Sequence, residues 1–201
     1  MAGQKRGIAA LGLLALASLG CGTEEAPSAG GAATPEALLK AWRAALFDGD
    51  RETVAGLIHA EPGTETTVAS WEEVAEEIGL WNSMKSEVSS KFGAEAWGRR
   101  EPGGSSLAFL YDARTHPLQA CDAMLAEGVK AEGESAVATA FVKSIWPMVR
   151  RPEGWRFRCA ETFAATAEAV AERRTFNAKW RAWKGALGRC ATVEEFWKAG
   201  E

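Results

Sequence analysis

Apolar residues in the first half of the chain recur at helical spacing. Leu38, Leu39, Trp42, Ala45 and Leu46 share one face of a helix that begins at Thr34-Pro35-Glu36. Thr34 suits the N-cap and Pro35 the first helical position. Asp48-Gly49-Asp50 stops this helix, with Gly49 as the left-handed terminal residue. Asp50 then caps a short helix, Arg51 to His59, with Val54, Leu57 and Ile58 as its apolar positions. Glu61 to Thr67 contains Pro62-Gly63 and reads as a loop. Ser70 followed by Glu73 is a capping box. Trp71, Val74, Ile78, Trp81, Val88 and Phe92 continue on one face, which predicts a helix from Ser70 to about Phe92 with a break near Gly79. Gly98 to Ser106 is a turn-rich loop.

The pattern then shortens. Leu107 to Tyr111 suits a short strand or one helical turn, and Leu118 to Ala126 suits either state. Val129 to Ala131 and Ala136 to Ile145 flank the turn Glu132-Gly133-Glu134-Ser135, which predicts a hairpin. A second hairpin joins Ile145–Arg151 to Trp155–Thr162 through Pro152-Glu153-Gly154. In it Trp155, Phe157 and Cys159 alternate with Arg156, Arg158 and Ala160, one apolar face against one basic face. Pro147 lacks a ladder donor and marks an edge or a bulge. Phe163 to Leu187 is Ala-rich and helical, and Thr192 with Glu195 opens a terminal helix.

Thr34-Pro35-Glu36, the helix after it, Asp48-Gly49-Asp50 and a short second helix resemble the opening of the nuclear transport factor 2-like (SnoaL or ketosteroid-isomerase-like) superfamily. Glu153-Gly154-Trp155-Arg156-Phe157 resembles the pattern that closes the sheet in that family. The resemblance implies an α+β fold: N-terminal helices packed on a curved antiparallel sheet, a cystatin-like cone with a pocket. Residues 163–201 lie outside the family pattern and form a helical C-terminal extension. Ketosteroid-isomerase-like members use a pocket carboxylate as base and a Tyr/Asp pair as oxyanion donors. Tyr111 and Asp112 match that pair by type, not residue by residue.

The amino terminus carries an address. Lys5 and Arg6 precede an uncharged run from Ile8 to Leu19, which ends at Leu19-Gly20-Cys21. Charge, apolar run and small residues in that order make a secretory signal, residues 1–20, and the run is too short to span a bilayer as a helix. A cysteine directly after Gly20 resembles the lipobox of bacterial lipoproteins, which implies cleavage before Cys21 and acylation of that residue. Ser18 stands where that family prefers Leu. Ala15-Leu16-Ala17 offers the alternative, an ordinary cleavage site that releases a secreted protein. Residues 21–34 have the composition of a tether, and 35–162 form the α+β domain.

Charge and chemistry narrow the picture further. The net charge of −4 becomes −6 without Lys5 and Arg6, which argues against nucleic-acid binding. The nine Trp either fill a core or line a groove, and core is the expected place for those at helical spacing. Cys121, Cys159 and Cys190 are disulfide candidates, with Cys121–Cys159 and Cys159–Cys190 both open. No Cys/His cluster suggests a metal, and no Gly-rich phosphate loop, GxSxG or HExxH suggests a cofactor or nucleophile. Glu72, Glu73, Glu76 and Glu77 read as a solvated helix face. Arg173, Arg174, Lys179, Arg181 and Lys184 make a basic stretch that could touch anionic headgroups, with a solvated face as the plainer expectation. His116 with Asp112, or with the Asp48/Asp50 corner, is the acid-base candidate, set against a polar surface loop from Tyr111 to Pro117. Two functions follow, beside a plainer reading as a mostly helical envelope protein with two hairpins and no pocket. One is a membrane-anchored, non-enzymatic envelope lipoprotein that binds a small apolar ligand or an envelope protein. The other is a ketosteroid-isomerase/SnoaL-type enzyme working by acid-base chemistry in the cone pocket.

Overall fold

The computed structural model describes residues 31–101, 103–140, 144–158 and 164–200. The fold is α+β. Helix α1 (Pro35–Asp48) starts where Thr34 accepts a hydrogen bond from the Ala37 amide, and it ends at Gly49 with φ of 74°. Asp50 caps α2 (Arg51–Gly56) by accepting from the Thr53 amide and hydroxyl. That helix stops earlier than its apolar pattern suggests, because Ile58–His59 pairs with a later strand as β1.

Helix α3 (Glu65–Phe92) starts before the Ser70 capping box and runs through Gly79 without a break. Thr64 and Glu61 close the preceding turn on each other instead, with Thr64 Oγ1 accepting from the Glu61 amide and donating to its carbonyl. Leu107 to Tyr111 takes the helical alternative, and helix α4 (Leu107–Arg114) runs into α5 (His116–Glu127) where a polar loop to Pro117 was expected, so Leu118–Ala126 is helical too. Pro117 fits because it stands in the first turn of α5, where its missing N–H costs no bond.

Both hairpins form: β2 (Val129–Glu132) with β3 (Ser135–Ala140), and β4 (Ser144–Arg151) with β5 (Gly154–Arg158). The sheet order is β1-β5-β4-β3-β2. It is mixed, not antiparallel throughout, since β1 runs parallel to β5. β4 is internal, so Pro147 is no edge residue; it lies one position outside the segment registered with β5, where the ladder asks for no donor on that side. Ala136, Ala138, Trp146, Met148, Trp155 and Phe157 face inward onto α1 and α5. Cys159 and Phe163, which were expected in strand and helix, lie outside the described residues.

Helix α6 (Ala167–Ala186) and α7 (Val193–Lys198) do not cross the sheet. They close a second apolar cluster with Trp81, Met84 and Val88 from the later half of α3. Trp183 stacks on Phe196 at 4.9 Å and 15° and donates to its carbonyl at 2.6 Å. Thr192 caps α7 by accepting from the Glu195 amide, and Glu195 reaches back one residue beyond the cap to accept from the Ala191 amide. Cys121 belongs to the first cluster and Cys190 to the second, and both are buried free thiols.

Candidate functional site

The α3 carboxylates are the main surprise. Glu73 and Glu77 are 2% and 3% exposed, not solvated. Spaced four apart, they share one helix face with Glu76. That face meets α6, where Arg173, Arg174, Asn177 and Arg181 also recur at helical spacing. Glu73 accepts from Arg51 at 3.1 Å, from Arg174 at 3.0 Å and from the Asn177 amide at 3.0 Å. Asn177 also donates to the Glu73 carbonyl at 2.9 Å, which fixes the register of the two helices. Glu77 accepts from Arg114 at 2.9 Å and from Arg173 at 2.5 Å. Glu76 pairs with Arg51 and Arg181.

Buried carboxylates survive only with partners, and planar guanidinium groups supply them while their outer edges stay wet. This settles the charge of α6. Arg173, Arg174, Arg181 and Lys184 each pair with a glutamate of α3, so the basic stretch is a helix-docking face and not a headgroup contact.

A cleft of about 500 Å³ opens beside this clamp. Trp71, Val74 and Glu77 of α3, Arg114 of α4, His116 of α5 and Arg173 of α6 line it. Two guanidinium groups face one carboxylate there, which leaves a positive excess beside an apolar wall.

The acid-base candidates do not converge. Asp48, Asp112 and His116 are exposed, at the end of α1, in the middle of α4 and at the start of α5. The Tyr111 hydroxyl donates to Asn82 Oδ1 at 2.7 Å, and Asn82 donates in turn to the Phe47 carbonyl at 2.6 Å. That relay ties α4 to α3 and α1. Burial pushes the Tyr111 phenol up, so it stays a donor, while Lys85 lies 4.3 Å over its ring. Asp50 is held below the usual carboxylate range by the hydroxyl and amide of Thr53, which is a cap's signature.

The expected place for an apolar ligand, between the helices and the sheet, is filled. Trp42 meets Phe157 at 4.8 Å and Trp71 at 5.1 Å, and Trp71 meets Trp146 at 5.4 Å. About 20 Å³ is left among them, room for a single water. Among the described residues no cluster of His, Cys, Asp and Glu could hold a metal ion.

Sequence reasoning missed Glu73, Glu77 and Arg173 as a site because their partners lie far apart in the chain. The one available signal was the matched helical spacing of Glu on α3 and Arg on α6. No protein-family model, no curated protein and no solved structure matches this chain.

Proposed function

We propose that this chain is an exported, lipid-anchored protein of a bacterial cell envelope, held through Cys21, whose folded body is a non-enzymatic binding module. The signal-like order from Lys5 to Cys21 supports the address. Among the described residues no helix is long and apolar enough to cross a membrane; in this reading the acyl group is the anchor. The body is read as a nuclear transport factor 2-like arrangement, and the space between its helices and sheet is packed by Trp42, Trp71, Trp146 and Phe157.

The observation that carries the binding reading is the cleft built on Glu77, Arg114 and Arg173. Its chemistry suits a small amphiphilic anion, with an apolar part on Trp71 and Val74 and a carboxylate or phosphate on the guanidinium groups. The separation of Asp48, Tyr111, Asp112 and His116 gives the enzyme reading no support.

Cys21→Ser moves the protein from the membrane to the soluble fraction; an unchanged distribution ends the anchor reading. Calorimetry with decanoate and with inorganic phosphate tests the cleft. Heat that disappears in Arg173→Gln supports it, and no heat from either probe sinks it.

A further inference from the structure

The geometry points to the outer face of the sheet as a docking surface for anionic phospholipid, one that lays the body flat on the membrane that anchors it. This rests on the lipid anchor proposed above. The face is defined by register. Val137 and Thr139 of β3, Ile145, Pro147, Val149 and Arg151 of β4, Arg156 and Arg158 of β5 and His59 of β1 share it, opposite the inward Trp146, Trp155 and Phe157. Its arginines run the length of β5 on the β1–β5–β4 side, while Lys130 of β2 and Glu127, which accepts from Thr139 at 3.4 Å, stand on the other side. Arg151, Arg156 and Arg158 stand around His59, and Arg151 donates to His59 Nε2 at 2.6 Å. Glu61 accepts from Arg158 at 3.0 Å. Glu132 and Glu153 lie at the hairpin turns. Beside the arginines runs an apolar strip in which Ile145 is 54% and Val137 38% exposed.

Two observations select a membrane as the occupant. The first is where the tether enters. Ala32 pairs with Trp155 through both backbone bonds, at 3.0 and 2.7 Å. Gly31 lies so close to Gly154 that a methyl on it would stand 2.9 Å from the Gly154 Cα. Gly154 is the register partner of Arg151. The tether is therefore rooted at the β4–β5 turn, beside Arg151. The ten peptide steps from Cys21 to Gly31 reach at most about 35 Å. A lipid on Cys21 thus keeps this end of the body near the bilayer. The second observation is charge. The mature chain is acidic by −6, so an anionic surface repels most of it. The arginines of α6 are taken up by glutamates of α3, whereas among the described residues Arg151 and Arg156 have no carboxylate partner. Guanidinium groups attract anionic headgroups, and exposed aliphatic side chains beside them enter the interface.

The test uses the natively processed protein, purified from membranes and reconstituted on vesicles. Ile145→Cys, in a Cys159→Ala background, carries an environment-sensitive fluorophore; Phe176→Cys on α6, 46% exposed, is the control. On vesicles containing phosphatidylglycerol the Ile145 probe shifts to the blue and the shift is reversed by high salt. Vesicles of phosphatidylcholine alone give no shift, and the Phe176 probe stays unchanged on both. Arg151→Gln with Arg156→Gln lowers the docked-to-undocked ratio about 30-fold, the factor for two guanidinium groups leaving an anionic surface. A silent Ile145 probe on protein that floats with the vesicles overturns the inference and leaves the anchor standing. So does a response that needs added envelope extract, which would assign the face to a protein partner. Absence of an acyl group by intact mass overturns the anchor instead, and the phosphatidylglycerol response of that unacylated protein still decides the docking.

Discussion

Gly79, in the middle of α3, meets Gly49, the left-handed residue that ends α1, backbone to backbone. A methyl on Gly79 would stand 2.6 Å from the Gly49 Cα and 2.9 Å from its nitrogen. The glycine that suggested a break in α3 marks a crossing between two helices.

Gly79→Ala therefore destabilises the fold, although Ala is the better helix former by about 1 kcal/mol. Separating α1 from α3 costs more than that gain, and a net loss of about 2 kcal/mol is expected. Urea unfolding checks it, and a variant as stable as the parent would show that the crossing can relax.

Glu73→Ala removes the acceptor shared by Arg51, Arg174 and Asn177. The arginines can rehydrate, but the buried Asn177 amide is left with the Glu73 carbonyl alone. A loss of about 3 kcal/mol is expected, against less than about 0.5 for Glu87→Ala, an exposed carboxylate paired with the half-buried Lys184. Equal thermal shifts for the two variants would refute the special place of Glu73.

Burial pushes the Cys121 thiol up to about 12. A thiolate is the reactive form, so Cys121 stays unlabelled by maleimide at pH 8 in the folded protein and is labelled in denaturant. Peptide mapping that finds Cys121 modified under native conditions contradicts this.

His59 is held below its ordinary value of 6.5, first by burial and then by the Arg151 charge. Its Nε2 must stay unprotonated to accept from Arg151. The unfolded chain takes up a proton at higher pH than the folded one, so this contribution is complete above about 6.5 and is lost as pH falls below it. His59→Gln keeps an acceptor and cannot titrate. Between pH 7.5 and pH 5 the parent should lose more stability than this variant in urea unfolding; equal losses would exclude His59 as the cause.

What the sequence made legible was local. Thr34-Pro35, Gly49 and Asp50 announce helix ends because their hydrogen bonds close within three residues. The hairpins show because turn residues and alternation act over a few positions. Glu73 looked solvated because Arg174 and Asn177 lie about a hundred residues along the chain, beyond any window of local pattern. Helices α4 and α5 hid for the same reason: Leu107, Leu118, Cys121 and Met124 are buried by partners from two different clusters. The cleft was invisible because it needs α3, α4, α5 and α6 in place at once.

Helix α3 places Ile78 in one apolar cluster and Trp81, less than one turn later, in the other. Neither cluster can dissolve without baring a stretch of the same rod. Heating should thus produce one endotherm, with calorimetric and van't Hoff enthalpies that agree. Shortening the chain before α6 would leave Trp81 and Met84 uncovered on a helix that the remaining half still requires, so cooperativity, and not merely stability, is stored in those 28 residues.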